Sequence, residues 1–424
     1  MNFHIRNLKD VHASTIDIVI ESGVVTQTLS PGVEYKEIDG SGLTVLPGFV
    51  DLHTHLREPG REDAETVLTG SLAAAAGGFT AISAMPNTLP VADTAGVVEQ
   101  VYRLGKHHGL CDVFPIGSVT LGQEGKHLAE LSAMNQSEAK VRLFSDDGHC
   151  VADPLVMRRA LEYVKTFDGV IAQHAQDPRL TENSQMNEGE ISAKLGLKGW
   201  PAVAEEAIIA RDVLLAEHVD SRLHICHLTT AGGVEIVRAA KKRGVKVTAE
   251  VTPHHLILTD DVVESYDPVF KVNPPLRTKA DVMALRHGLA DGTIDIVATD
   301  HAPHAQEAKD CEWNAAAFGM LGLETAFSIV YLTMVKSGLM TLETLSSRMS
   351  STPAQIGRYA EHGNITVGKP ANLVIIDLTA EWTVDRAALH SKSRNTPFHE
   401  MKLPGVIEMT FHNGALVFDR KVSS

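Results

Sequence analysis

The chain has 424 residues, with 53 acidic against 38 basic side chains and a formal net charge of -15. A hydrophobic share of 44% and a charged share of 21% fit an ordinary globular protein with room for one large domain and an appendage, or for two domains. The acidic balance argues against nucleic-acid binding, which needs a basic face, and means that an anionic ligand must be captured by a local positive site. Cys111, Cys150, Cys226 and Cys311 form no C-x-x-C pair, which fits reduced thiols rather than a disulfide framework. No basic-then-apolar leader opens the sequence and no apolar run is long enough for a bilayer, so a cytoplasmic protein without a membrane partner is expected.

In chain order, residues 1–46 read as short strands such as Asp17–Ile20, separated by turns at Ser22-Gly23, Pro31-Gly32 and Asp39-Gly40. Eight apolar, β-branched runs follow: Phe49–Thr54, Phe79–Met85, Val113–Val119, Lys140–Ser145, Gly169–His174, Arg222–Leu228, Lys246–Thr252 and Ile294–Thr299. Helical stretches lie between most of them, at Asp63–Ala76, Pro154–Phe167, Pro201–Glu217, Ala231–Arg243 and Lys279–Ala290. This alternation implies βα units around a parallel sheet, and eight of them fit a (β/α)8 TIM barrel. A doubly wound sheet is the alternative, but no Gly-rich dinucleotide loop follows any strand. Residues 363–424 return to strands, at Leu373–Ile376, Val406–Phe411 and Ala415–Phe418. Neither end can bury a good core alone, so residues 1–46 and 363–424 are expected to form one small composite β-sandwich beside a barrel of residues 47–362.

The candidate chemistry sits at strand ends. His53 and His55 are spaced i, i+2 on the first run, which puts both imidazoles on one face and makes half of a zinc site. Further on come Asp146-Asp147-Gly148, Gln173-His174, His224-Ile225-Cys226-His227 and Thr299-Asp300-His301-Ala302-Pro303-His304. Singly, each has a plain reading: His174 as a hydrogen-bonded core histidine, His224 as a core residue or a non-ligand near the site, Asp147 as a turn residue, Asp300 as a cap. Together, histidines and carboxylates at five strand ends of one barrel would converge on its mouth as a metal centre.

These residues carry a resemblance. Leu46-Pro47-Gly48-Phe49-Val50-Asp51-Leu52-His53-Thr54-His55-Leu56-Arg57-Glu58-Pro59-Gly60, Met85-Pro86-Asn87-Thr88, Phe144-Ser145-Asp146-Asp147-Gly148, Val272-Asn273-Pro274-Pro275-Leu276-Arg277, Thr299-Asp300-His301-Ala302-Pro303-His304 and Asn395-Thr396-Pro397-Phe398 resemble the amidohydrolase superfamily, and within it the dihydroorotases of the single-domain bacterial type. The resemblance implies a hydrolase that interconverts N-carbamoyl-L-aspartate and dihydroorotate, the third step of pyrimidine synthesis. It implies two zinc ions per subunit, one on His53, His55 and Asp300, the other on His174 and His227, with a bridging carboxylate. Many relatives bridge with a carbamylated lysine. Here Arg142 stands at the comparable position, and Asp147, or its neighbour Asp146, resembles the aspartate that replaces it. Asp300 would carry the proton. Arg57, Asn87 and His304 would hold the exocyclic carboxylate of the substrate, a small anion, with His55, Asn273, Phe318 and Gly319 as further contacts. A surface ion pair of Arg57 with Glu58 or Asp63 is the plain alternative.

A homodimer and an association with aspartate transcarbamoylase are further expectations. The rivals are another ring amidase, namely a dihydropyrimidinase, hydantoinase or allantoinase, and an inactive dihydroorotase-like scaffold. The former have no need of an arginine at position 57, and the latter have lost metal histidines that this chain keeps. Asn372 stands where the superfamily usually has aspartate.

Overall fold

A computed structural model describes residues 1–423. Among them, eight strands run parallel in the middle of the chain: Phe49–Thr54, Phe79–Ala84, Asp112–Pro115, Leu143–Phe144, Val170–Gln173, Arg222–Ile225, Val247–Val251 and Ile296–Val297. They form one ladder of three strands and one of five, and two seams close the cylinder. At one seam Gly117 bridges Phe144, and the Ser145 N–H donates to Gly117 O at 2.9 Å. At the other Thr54 bridges His301, and the His55 N–H donates to His301 O at 2.8 Å. A closed parallel sheet is filled inside by side chains and covered outside by helices. Phe49–Thr54 and Phe79–Ala84 are accordingly buried at every position instead of alternating.

Local chemistry sets the helix starts. Asp153 accepts from the Leu155 and Val156 N–H groups and precedes a proline at the start of Pro154–Lys165. Thr278 and Asp281 cap Lys279–Asp291 reciprocally. The first helix begins at Val67, not at Asp63, because Thr66 caps it. Glu65 instead turns aside to accept from Ser391 and from the Lys392 N–H. The fourth strand is shorter than its apolar run. Lys140 has φ 51, which no strand tolerates, so extended pairing begins only at Leu143.

The two chain ends share one eight-stranded sheet. Leu373–Thr383 pairs with Thr44–Pro47 on one side and with Lys402–His412 on the other, and Thr44–Pro47 pairs with Phe3–Lys9. In a flat ladder Phe411 and Phe3 would stand three strand spacings apart, about 14 Å. Their ring centroids are 5.1 Å apart, so the sheet curls over a core that includes Ile5, Ile20 and Leu373. Ile376, Ile407 and Phe418 pack instead with the helices of the barrel. Asn372 joins the two ends: its amide donates to Glu361 O at 2.9 Å and its oxygen accepts from the Asn413 N–H at 2.7 Å. An ionised aspartate could not make the first of these bonds. Among the described residues no helix is long and apolar enough to cross a membrane.

Candidate metal centre

At the C-terminal mouth of the barrel the strand ends deliver one buried cluster. The Asp147 carboxylate lies 3.3 Å from His53 Nε2, 3.3 Å from His55 Nε2, 3.3 Å from His174 Nδ1 and 3.2 Å from His227 Nε2. Asp300 Oδ1 is 3.1 Å from His55 Nε2 and 3.4 Å from His53 Nε2. His227 and Asp300 hold φ values of 30° and 46°, in the left-handed region that non-glycine residues rarely adopt. Asp146 faces away. It accepts from Ser118, from the Val119 and Thr120 N–H groups and from the Thr120 hydroxyl, so it anchors the turn that follows the third strand. No lysine enters the cluster: Lys140 is exposed, and the Arg142 guanidinium donates to Phe167 O at 2.7 Å.

Outer partners fix the imidazoles. Glu250 accepts from His53 Nδ1 at 2.6 Å, from His224 Nε2 at 2.9 Å and from the His227 N–H at 3.1 Å. His224 therefore touches the cluster only through Glu250. Asn87 meets His55 Nδ1 at 2.8 Å and Gln176 meets His174 Nε2 at 2.6 Å. Asp51 ties the first strand to the eighth by accepting from the His53 and Thr299 N–H groups. Such second contacts set ring orientation and tautomer in metal sites. Burial opposes a charge on His53, but Asp147 and Glu250 outweigh it and hold its pKa well above the ordinary histidine value.

A cavity of about 240 Å³ opens beside the cluster. Asp147, His174 and Asp300 line it together with His55, Arg57, Asn87, Asn273, His304, Phe318 and Gly319. His53 and His227 sit behind, almost fully buried. Arg57 makes no ion pair with Glu58 or Asp63. Its Nε donates to Pro303 O at 3.1 Å, and although burial lowers its pKa to about 10 it stays charged at neutrality. His304 Nε2 lies 2.7 Å from Phe318 O and 3.5 Å from Arg57 Nη2. The short contact requires a proton on Nε2, so the longer one is no hydrogen bond. Burial and Arg57 push His304 down to about 3, so the ring is neutral. A larger cleft of about 690 Å³, between the composite sheet and helix Leu342–Met349, has no histidine, cysteine or cationic side chain in its lining.

Residues 42–232 match the family described as dihydro-orotase-like. Over nearly its whole length the chain is similar to a dihydroorotase of Streptomyces coelicolor, 62% identical over 99% of each chain. A dihydroorotase of Mycobacterium tuberculosis is 52% identical over 94% of each. The chain belongs to the dihydroorotase family. Among solved structures, the L-hydantoinase (dihydropyrimidinase) of Arthrobacter aurescens has a TM-score of 0.87 at 26% identity, covering 99% of this chain and 96% of that one. Barrel and composite sheet are thus common to several ring amidases, while the sequence identity sets the dihydroorotase family apart.

Glu250, Asp51 and Gln176 escaped the sequence reading. Glu250 had a usable signal: a lone charge inside Val247–Val251, a short strand run with no other ionisable residue, demands a buried partner. Gln176, beyond the end of its strand, had none.

Proposed function

We propose that this dihydroorotase-family chain opens dihydroorotate to N-carbamoyl-L-aspartate, and closes it again, at the mouth cluster. The observation that carries the assignment to this site is the convergence of four histidines on Asp147 beside Arg57, a cation that makes no ion pair among the described residues and faces the same cavity.

The donor set fits divalent metal. Ligand atoms of His53, His55 and Asp147, and of Asp147, His174 and His227, lie within 4.8 Å of one another. His53 Nε2 is buried without a hydrogen-bond partner. Two zinc ions are proposed, one on His53, His55 and Asp300, the other on His174 and His227, with Asp147 shared. Metal bound there lowers the pKa of water and polarises a carbonyl. His53, whose pKa is raised by Asp147 and Glu250, would have to give up its proton to ligate such a cation, so affinity would rise with pH.

The chain's own residues do the rest. Burial alone would raise the Asp300 carboxyl, but His53 and His55 outweigh it and hold it at about 2. Asp300 is therefore ionised and can take the proton of the attacking water. As the ring C–N bond breaks, it returns that proton to the leaving nitrogen. In closure it takes the proton from the ureido nitrogen instead. Arg57 and Asn87 offer donors to the exocyclic carboxylate. Asn273 Oδ1, buried and unpartnered, offers an acceptor to a ring N–H. The same reading assigns residues 47–362 to a catalytic barrel and residues 1–46 with 363–424 to a composite unit that supports it.

Steady-state kinetics of zinc-loaded protein on dihydroorotate and on dihydrouracil test this. Turnover of the first alone is expected, and comparable turnover of dihydrouracil would overturn the reading. Metal analysis with native mass measurement should give two ions and no carbamylated lysine.

A further inference from the structure

Asn395 lies well past the barrel, in the segment that leads into strand Lys402–His412. It does not line the cavity, yet it is buried, and both its amide hydrogens and its side-chain oxygen find backbone partners. Its Oδ1 accepts from the His304 N–H at 3.2 Å. Its Nδ2 donates to Ala302 O at 3.0 Å and to Gly319 O at 3.1 Å. Its own carbonyl accepts from the Leu321 N–H at 3.2 Å.

One side chain thus ties the turn after the eighth strand to the loop that carries Phe318 and Gly319. These are two of the walls of the cavity. They meet without slack. Gly319 has φ 146, and a Cβ there would come within 2.7 Å of His304 Nε2 and 2.8 Å of Ala302 Cβ. The His304 ring is also held through Nε2 to Phe318 O. Ring, turn and loop are packed as one unit, joined also by the backbone bond from the Ala302 N–H to Met320 O at 2.8 Å, and Asn395 is the only side chain that bonds to Ala302, His304 and Gly319 among the described residues.

The segment that brings Asn395 is itself anchored on the first βα loop. Ser391 and the Lys392 N–H donate to the buried Glu65, and the Ser393 hydroxyl donates to Ala64 O at 2.7 Å. It forms a strap across the mouth, from chain that belongs to no barrel unit.

We infer that Asn395 is a positioning residue for substrate binding: through three backbone bonds it sets His304 and the Phe318-Gly319 loop at the carboxylate end of the cavity. This rests on the reading that His304 and the loop face substrate. It predicts an effect on binding rather than on proton transfer, because Asn395 touches neither Asp300 nor the histidines around Asp147.

The test compares Asn395→Ala, Asn395→Asp, His304→Ala and the double variant N395A/H304A in metal-loaded full-length protein with dihydroorotate. Asn395→Ala should raise KM by about tenfold or more with kcat within about threefold and metal content unchanged. Asn395→Asp keeps the shape and the acceptor but sets a carboxylate oxygen against two carbonyls, so it should be impaired at least as much. Adding N395A to H304A should raise KM less than N395A does alone, because the share of the effect that runs through the His304 ring is already gone while the share that runs through the Phe318-Gly319 loop remains. Amide hydrogen exchange at His304 should quicken in metal-free Asn395→Ala, which reads the bond without turnover.

An unchanged KM in both Asn395 variants overturns the inference. So does loss of metal or failure to fold in both, since Asn395 would then be a structural residue. Should H304A itself leave KM unchanged, the assignment of His304 to substrate fails instead.

Discussion

The barrel carries a buried histidine–carboxylate cluster at each end, and the two differ in how completely they are paired. At the N-terminal end Asp112 accepts from Lys106 Nζ at 2.6 Å and His362 Nε2 at 2.9 Å, with His412 Nε2 at 3.4 Å. The other ring nitrogens are taken as well, His362 Nδ1 by Thr80 at 3.2 Å and His412 Nδ1 by Gly109 O at 3.1 Å. This cluster joins the third strand to the composite sheet and leaves nothing for a ligand. At the mouth, by contrast, four imidazoles crowd one carboxylate, and among the described residues His53 Nε2, although close to Asp147 and Asp300, and Asn273 Oδ1 are buried without a hydrogen-bond partner. The same residue types make a joint where their hydrogen bonds are complete and a site where they are not, because a buried polar group without a partner is costly unless something binds it.

Substitutions should separate the two clusters, the largest effect falling at the mouth. Asp300→Asn should retain much of the metal, since an amide oxygen can still ligate, yet lose about 10²–10⁴-fold or more in turnover, as removal of a general acid–base group does. Metal analysis beside kcat checks this, and a variant with more than about a tenth of normal activity would show that Asp300 does not carry the proton. Arg57→Met removes a charge-assisted forked donor from a desolvated site, a loss of about 2–5 kcal/mol. The value of kcat/KM for dihydroorotate should then fall about 30-fold or more with zinc content unchanged. No change would reopen the reading as an amidase of neutral rings.

The smallest expected effect belongs to the joint. Asp112→Asn should leave kcat and metal content alone and lower stability by about 1–3 kcal/mol in denaturant unfolding. Its pH dependence has a definite sign. Burial would raise the Asp112 carboxyl, but His362 and His412 outweigh it and hold its pKa well below the usual range. A depressed carboxylate contributes stability above its unfolded pKa and loses it as pH falls through the folded one. The gap between the natural chain and Asp112→Asn should therefore be full near neutrality and narrow in acid. Lost turnover in this variant would mean that the two clusters are coupled and the comparison fails.

Periodicity and spacing alone revealed the eight strands and five of the helices between them, though not the helix Ala95–His108, together with the pairing of His53 with His55 on one face and the strand ends on which ligand candidates stand. Short-range geometry governs these features, and it is written in neighbouring residues. Choosing between Asp146 and Asp147 needed the tertiary structure, because identical side chains on adjacent residues point opposite ways and only their surroundings tell them apart. One meets the Ser118–Thr120 turn, the other the histidines. The same holds for Glu250, which reaches His53 across 197 positions of sequence. Asn395 belongs with them, arriving at the mouth on a strap from the far end of the chain. Barrel closure and the folding back of the chain ends decide such contacts, and no local pattern in the sequence records which distant segments will meet.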